Sequence, residues 1–129
     1  MNKVYDVLIV GGGPAGLASG LYASRSKLDT LLLETNSKVG GQVTTYHEME
    51  NYPGVLDTTA PDLMENFKEH AENFGTEIKK GEVEDIESDG FIKTVTTKDG
   101  TEYQAKSVIL ATGAEPRRLG VPGEKEFKG

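Results

Sequence analysis

The chain has 129 residues, which fits one domain of ordinary size and leaves no room for a second full domain. Lysine and arginine total 14 and aspartate and glutamate total 21, so the formal net charge of −7 disfavours nucleic acid and anionic membrane surfaces as partners. Cysteine is absent, which excludes disulfides, thiolate metal sites and a cysteine nucleophile. Because the start shows no signal-peptide pattern and no apolar run approaches a membrane span, we predict a cytoplasmic protein.

The first predicted unit is a βαβ crossover. Apolar patterning predicts a buried strand over Val4–Val10, a helix over Leu17–Ser26 and a second strand over Thr30–Leu33 that closes on Glu34. The strand and the helix are joined by the sequence Gly-Gly-Gly-Pro-Ala-Gly, Gly11–Gly16. A G-x-G-x-x-G match in this context predicts a dinucleotide site with its pyrophosphate at the helix N-terminus.

The residues of this glycine turn have separable predicted roles. Gly11 allows the tight turn, Gly13 lets a pyrophosphate approach the backbone, and Gly16 lets the helix pack close to the sheet. Pro14 suits the first helical position, where its missing N–H costs nothing. Glu34 is placed to accept hydrogen bonds from the ribose hydroxyls and would repel a 2′-phosphate, which favours FAD or NAD over NADP. The alternatives are a purely structural β-to-α turn and, for Glu34, a solvated charge at a strand end.

The segment Thr35–Thr45 is polar and carries glycines, which predicts an extended loop rather than a core element. Ligands of open α/β sheets bind at such loops after the carboxyl ends of strands. Gly40 and Gly41 can bring backbone N–H groups against a ring or a phosphate, and the Gln42 amide can donate and accept. The alternative is a flexible surface loop. His47, which follows this segment, is predicted to be a surface residue.

A helix is predicted to begin at Thr58–Asp62, where hydroxyl caps, a proline and an acid form its start. Its apolar stripe is predicted to pack in the core, and Gly75 is predicted to end it in a left-handed conformation. His70 on this helix is predicted to be solvated. The stripe consists of Leu63, Phe67, Ala71 and Phe74.

The second half of the chain is predicted to be mostly β-structure. A short strand at 76–79 precedes a small antiparallel meander, 82–87, 91–97 and 101–105, whose hairpin turns contain Ser88-Asp89-Gly90 and Lys98-Asp99-Gly100. Its charges are expected to form a solvated face. An apolar run, Ser107–Gly113, predicts a third buried parallel strand that opens on the side of the glycine turn. The remainder, 114–129, shows no periodicity and is predicted to be a linker.

With these segments identified, the chain resembles the N-terminal half of bacterial-type thioredoxin reductases. The glycine turn and Ala111-Thr112-Gly113 occur in many flavoproteins with two dinucleotide sites, whereas the Gly40-Gly41-Gln42 loop followed by Glu50-Asn51-Tyr52-Pro53-Gly54 is narrower. The resemblance spans essentially the whole chain. It implies an α/β, Rossmann-like three-layer FAD/NAD(P)-binding fold with a parallel sheet and a small antiparallel β-meander, here incomplete.

In the site that the resemblance implies, FAD lies along the glycine turn, its adenosine ribose contacts Glu34, and its adenine meets the backbone of Val83. Gly41, Gln42 and Asn51 lie near the ribityl chain and the isoalloxazine. The full set implied to bind the cofactor is Gly11, Gly13, Pro14, Ala15, Gly16, Glu34, Gly41, Gln42, Asn51, Val83, Ala111, Thr112 and Gly113. No catalytic residue and no metal ligand is predicted.

The chain also departs from the family. Family members continue into an NADPH-binding domain with a redox-active cysteine pair and then return to finish the FAD domain. This chain has no cysteine and no second glycine fingerprint. We therefore divide it into part of an FAD domain, 1–113, and a linker, 114–129, and predict that it is inactive alone. The parent is expected to be a homodimeric enzyme that uses NADPH and thioredoxin.

Two other functions stay open on sequence grounds. One is a non-catalytic module that binds FAD, NAD or ADP for a partner chain, and the other is half of a ferredoxin-linked flavin reductase. A chain that is unstable alone and binds nothing is the third alternative. The absence of a basic cluster argues against nucleic acid and membrane partners in each case.

Overall fold

The computed structural model describes residues 3–127. Within these residues, two α-helices and eight strands follow one another, together with a short 3₁₀ helix, Gly41–Thr45. The helices are α1 (Pro14–Arg25) and α2 (Ala60–Asn73). The strands are β1 (Val4–Val10), β2 (Thr30–Glu34), β3 (Glu48–Met49), β4 (Thr58–Thr59), β5 (Glu77–Lys80), β6 (Val83–Asp89), β7 (Ile92–Thr97) and β8 (Glu102–Leu110).

Six strands form one sheet in the order β5-β2-β1-β8-β7-β6, and β3 pairs with β4 in a separate two-stranded sheet. The pairs β5–β2, β2–β1 and β1–β8 are parallel, whereas β8–β7 and β7–β6 are antiparallel. The crossover from β1 through α1 to β2 is the βαβ unit predicted from the sequence. The α/β fold with a parallel sheet and an antiparallel meander is therefore confirmed.

The parallel strands are covered on both faces, which explains their continuous apolar runs. On one face Leu32 packs with Leu17 of α1 and, at the cluster margin, with Phe67 of α2. On the other face Leu31 and Val95 belong to one cluster, although β2 and β7 are not neighbours in the sheet. The meander therefore curls over the face opposite the helices, which gives three layers.

Strand β8 differs from its prediction. The segments 101–105 and 107–113 were expected to form separate strands, but Glu102–Leu110 is continuous because it pairs with β1 from Gln104 to Leu110. β7 pairs only with the first part of β8, as far as Ala105. No strand within residues 3–127 pairs with the second part on that edge. Ile109 and Leu110 are consequently 37% and 67% exposed, so the predicted burial of this strand is wrong for its last residues.

Three other expectations need correction. Helix α1 begins at Pro14 rather than Leu17, because the proline occupies the first helical turn. The segment Thr35–Thr45 is not wholly an extended loop, since it contains the 3₁₀ helix and the buried side chain of Val39. Phe74 is 46% exposed because it follows the last residue of α2, and Met64 is buried in the core instead.

Local signals in the sequence predicted several other features correctly. The Thr59 hydroxyl accepts a hydrogen bond from Asp62 N (3.2 Å) and caps α2. Gly75 ends that helix with φ of 109°, as expected for a left-handed residue. His47 and His70 are exposed, as predicted. Among the helices of residues 3–127, none is long and apolar enough to cross a bilayer.

Candidate dinucleotide-binding cleft

A cleft of about 860 Å³ opens at the carboxyl ends of β1, β2 and β8. Its walls combine the glycine turn, the end of β2, the 3₁₀ helix, the start of β6 and the end of β8. Of the residues predicted to bind the cofactor, all but Gly16 and Asn51 line it. Those that do are Gly11, Gly13, Pro14, Ala15, Glu34, Gly41, Gln42, Val83, Ala111, Thr112 and Gly113.

Gly11 connects the ends of three parallel strands. Its φ is 111°, and a Cβ there would lie 2.1 Å from the carbonyl oxygen of Ala111, so any side chain is excluded. Its N–H donates to the Leu33 carbonyl oxygen (2.9 Å). The close approach of these backbones brings the loop after β8 to the same edge as the glycine turn, as the sequence predicted.

Gly16 is buried in the first turns of α1 and does not line the cleft. A Cβ at this position would lie 1.8 Å from the Gly11 carbonyl oxygen and 3.5 Å from Ile9 Cγ2. The residue therefore acts through packing, because it lets the helix lie against the strand end. This is the packing role predicted for the last glycine of the motif.

The N-terminus of α1 faces the cleft without a side-chain cap from any of residues 3–127. Gly13 is its N-cap residue, and a Cβ there would find no neighbour closer than 4.0 Å. Helix α2, by contrast, is capped by the Thr59 hydroxyl. The first-turn N–H groups of α1, together with the positive end of the helix dipole, favour an anion in the cleft.

Glu34, the last residue of β2, is buried with 9% of its surface exposed. Its Oε2 accepts a hydrogen bond from Gly12 N (2.6 Å), and its Oε1 accepts from Asn36 N (3.0 Å) and Asn36 Nδ2 (3.2 Å). A Cβ on Gly12 would lie 2.7 Å from Oε2, so this middle glycine makes room for the carboxylate. The alternative of a solvated strand-end charge is wrong for Glu34.

A pair of glycines after β2, Gly40 and Gly41, packs against the glycine turn. Gly40 N donates to the Gly12 carbonyl oxygen (2.7 Å), and a Cβ on Gly41 would lie 3.5 Å from Gly13 Cα. The segment Gly40-Gly41 and the glycine turn are therefore in direct contact at the edge of the cleft. Gln42 donates its side-chain amide to the Ala114 carbonyl oxygen and so connects the 3₁₀ helix to the segment after β8.

Asn51 does not line the cleft, and its place near the isoalloxazine stays a prediction. It lines a neighbouring cavity of about 610 Å³, whose wall shares Gln42 and Val43 with the cleft. The adjacent Tyr52 packs edge-on against Phe67, with ring centroids 5.6 Å apart. This contact joins the turn that follows Asn51 to α2.

The electrostatic character of the cleft comes from backbone dipoles and carboxylates. Within the described part of the chain, no lysine or arginine lines it, whereas Glu34, Glu82 and Glu115 do. A phosphate group would therefore be held by N–H groups at the glycine turn. The carboxylates make the rest of the cleft unfavourable for an additional phosphate.

Groups with displaced pKa values lie away from the cleft. Burial, followed by the hydrogen bond that the Tyr5 hydroxyl donates to Glu77 Oε2 (2.8 Å), raises the pKa of Tyr5. Lys79, whose Nζ is 2.9 Å from Glu77 Oε1, lowers the pKa of Glu77. Contact with Lys106 lowers the pKa of Asp6. None of these groups lines the cleft, so they offer no acid or base to it.

Sequence patterns missed two contributors to the site. Gly12 occupies a position that the glycine motif leaves unspecified, and Asn36 stands in a polar loop. Each contacts the Glu34 carboxylate. The run of three glycines was a signal for the contact of Gly12. The contact of Asn36 is revealed only by the conformation of the loop after β2. Within residues 3–127, no cluster of histidine, aspartate and glutamate could hold a metal ion.

Comparisons with known proteins identify the family. A family model for pyridine nucleotide-disulphide oxidoreductases matches residues 5–129. The thioredoxin reductase of Peptoclostridium acidaminophilum is 49% identical over 130 residues, which cover 100% of this chain and 41% of that protein.

Two solved structures share this architecture. Lactococcus lactis thioredoxin reductase in its FR conformation matches with a TM-score of 0.86 and 44% identity, covering 95% of this chain and 40% of that one. A ferredoxin-flavin thioredoxin reductase from Clostridium acetobutylicum matches with a TM-score of 0.78 and 30% identity, covering 99% of this chain and 44% of that one.

The chain spans less than half the length of these relatives. Its share is 41% of the Peptoclostridium protein and 40% of the Lactococcus chain. The matched region is the N-terminal part of the thioredoxin reductases. With the family model covering residues 5–129, the chain belongs to the pyridine nucleotide-disulphide oxidoreductase family.

Proposed function

We propose that this chain is the N-terminal, FAD-binding part of a thioredoxin reductase. In the whole protein, electrons would pass from NADPH through FAD to a cysteine pair and then to thioredoxin. The proposal is supported by family membership, by 49% identity to a thioredoxin reductase and by a cleft that gathers most of the predicted cofactor residues. The whole protein is proposed to be a cytoplasmic homodimer.

The observation that carries this proposal is the uncapped N-terminus of α1 at the floor of the cleft. Gly13 leaves open space in front of it, while the buried carboxylate of Glu34 lies beside the same turn. An FAD pyrophosphate would receive N–H groups of the turn, and its adenosine ribose would lie against Glu34. Val83 would contact the adenine, and Gly41 with Thr112 would flank the flavin half.

The bound FAD would supply the electron-transfer chemistry. The residues of this chain would bind and orient it, and the apolar ends of β1 and β8 would exclude water from one side of the cleft. Disulfide reduction needs a thiolate, and this chain has no cysteine. The thiols must therefore come from outside residues 1–129.

The exposed second half of β8 supports the proposal that further polypeptide completes the site. Ile109 and Leu110 present apolar side chains on a strand edge that no strand of residues 3–127 covers. Uncovered apolar edges promote association, and native proteins usually cover them. We propose that the rest of the longer protein covers this edge.

The electron donor distinguishes the second candidate function. The structural match to a ferredoxin-flavin thioredoxin reductase keeps a ferredoxin-linked enzyme open, although its identity is 30% against 44% for the Lactococcus thioredoxin reductase. NADPH is therefore the proposed donor. Reconstituted full-length protein that oxidises reduced ferredoxin but not NADPH would reverse this choice.

The proposed function is tested by incubating the purified chain with FAD and measuring bound flavin absorbance after gel filtration. The wild-type chain should retain flavin, and Gly13→Val should retain at least tenfold less because its side chain would occupy the space of the pyrophosphate. Ala18→Val, on the exposed side of α1, is the control and should bind as the wild type does.

Circular dichroism on each variant ensures that the comparison is between folded chains. A folded chain that binds ADP but not FAD would favour the non-catalytic nucleotide module. A folded chain that binds neither, or equal flavin retention by Gly13→Val and wild type, would contradict the proposed site.

A further inference from the structure

We propose that Asn36 shares the recognition of the adenosine ribose with Glu34, so that each residue accepts a hydrogen bond from one hydroxyl of the diol. The inference rests on the proposed function, because it specifies how the adenosine end of the dinucleotide would be held. It is carried by the hydrogen-bonding capacity of one buried carboxylate and by the orientation of one side-chain amide.

The acceptor capacity of Glu34 is largely used within the protein. An ionised carboxylate offers about four lone-pair sites, two on each oxygen. Oε1 accepts from both Asn36 N (3.0 Å) and Asn36 Nδ2 (3.2 Å), and Oε2 accepts from Gly12 N (2.6 Å). One acceptor site on Oε2 is left. A ribose diol has two hydroxyl donors, so Glu34 in this arrangement can satisfy only one of them.

Asn36 supplies a second acceptor beside it. In the part of the chain that the structure describes, its side chain makes its hydrogen bond through Nδ2, which leaves the amide oxygen Oδ1 as an acceptor. The residue lines the cleft together with Glu34 and is exposed. Because Nδ2 is held by the carboxylate, the amide is oriented before a ligand arrives, so little rotamer entropy would be lost on binding.

The arrangement also explains why a glycine occurs at position 12. A side chain there would collide with Glu34 Oε2, which lies 2.7 Å from the ideal Cβ position. With Gly12 N on one oxygen and Asn36 on the other, the carboxylate is fixed from two sides. In the proposed complex the pair would offer two acceptors, Glu34 Oε2 and Asn36 Oδ1, to the adenosine ribose.

A purely structural role for Asn36 makes a different prediction. If Asn36 only positions Glu34, Asn36→Ala and Glu34→Gln should lose discrimination at the same ribose hydroxyl, because the carboxylate is then the only acceptor. If Asn36 itself accepts from one hydroxyl, Asn36→Ala should lose discrimination at that hydroxyl and Glu34→Gln at the other. A double-mutant cycle distinguishes the two roles, because it measures how far the effect of a side-chain substitution on affinity depends on the presence of each ribose hydroxyl.

The experiment is calorimetric titration of the full chain with ADP, 2′-deoxy-ADP and 3′-deoxy-ADP. The wild type should bind both deoxynucleotides about fivefold more weakly than ADP, as expected for one lost hydrogen bond. Asn36→Ala should bind ADP about fivefold more weakly than the wild type does. It should bind one of the two deoxynucleotides as well as it binds ADP.

Ser37→Ala, at the next exposed loop position, is the matched control and should keep the wild-type pattern. Asn36→Ser, whose side chain is too short to reach, gives a second variant should the alanine variant fail to fold. Equal weakening of all three nucleotides by Asn36→Ala, or loss of discrimination at the same hydroxyl by Asn36→Ala and Glu34→Gln, would overturn the shared-ribose inference while leaving the proposed function intact. A folded wild-type chain that binds no ADP would overturn both.

Discussion

Single residues in the glycine turn have distinct physical roles, although they look alike in the sequence. Positions 11 and 16 have no room for a side chain, since a Cβ on Gly11 or Gly16 would lie within 2.1 Å of a backbone carbonyl oxygen. Gly12 is required by the Glu34 side chain. Gly13 meets no neighbour closer than 4.0 Å, so the protein itself does not require a glycine there. This difference is the strongest sign that Gly13 serves a ligand.

A pair of alanine substitutions tests this division. Gly16→Ala should lower the free energy of unfolding by about 1–3 kcal/mol, because its methyl group must displace the Gly11 carbonyl. Gly13→Ala, the matched control in the same turn, should change stability by less than about 0.5 kcal/mol. Urea denaturation followed by circular dichroism measures both. Equal stabilities for the two variants would contradict the packing role of Gly16.

The residue roles could be predicted only where a motif specifies them. Gly11, Gly13 and Gly16 follow from the spacing of the motif within a βαβ unit, and Glu34 follows from its position after β2. The contact of Asn36 with Glu34 could not be predicted, because it depends on the conformation of a polar loop, whereas the run of three glycines was a signal for the contact of Gly12. The packing of Tyr52 on Phe67 could not be predicted either, because it joins residues in different elements, and the place of Asn51 near the flavin stays a prediction.

At the scale of elements, a polar cluster connects the edge strand β5 to β1. The Tyr5 hydroxyl donates to Glu77, which also pairs with Lys79. Tyr5 is buried, and the cluster crosses over β2. None of its three side chains lines the cleft, so it concerns stability and not cofactor binding.

This cluster predicts a pH dependence of stability. Contact with Lys79 lowers the folded-state pKa of Glu77 below its ordinary value of 4.5. The contribution of Glu77 is therefore complete above about pH 4.5 and is lost as the pH falls through the lowered pKa. Glu77→Gln should flatten the acid limb of the stability profile, measured as urea midpoints against pH.

Tyr5→Phe is the control for this prediction, because it removes one hydrogen bond and keeps both charges. Since the contact with Lys79 is the largest cause of the lowered pKa, this variant should retain most of the acid dependence. An acid limb of Glu77→Gln with the wild-type slope would show that the pair with Lys79 does not stabilise the fold.

Helices and strands with strong signals in their own sequences could be predicted. The burial of a strand could not be predicted where it depends on segments distant in the sequence. The strand-turn-helix-strand unit and the capped helix α2 have periodicity, caps and turn residues in their own sequences. The apolar end of β8 has the composition of a central strand, but whether it is covered depends on partners that its own sequence does not specify. Its exposure was therefore missed, even though the resemblance implied an incomplete sheet.

At the scale of the whole molecule, the cleft is assembled from segments that are far apart in the chain. The glycine turn, the loop after β2, the start of β6 and the end of β8 meet at one edge because parallel strands present their carboxyl ends together. Net charge plays no part in attracting the anionic linker, since the chain is acidic overall. Local backbone dipoles must outweigh that charge at short range.

The most direct test of this account is an NMR titration of the ¹⁵N-labelled chain with ADP. If the diphosphate lies over the N-terminus of α1 and the ribose beside β2, the largest shifts will be those of the Gly13, Ala15 and Gly16 amides, followed by Asn36. Saturable shifts confined to these residues and their cleft neighbours are the predicted result. Shifts centred on the tail or on β6–β7, with the glycine turn unchanged, would contradict the account.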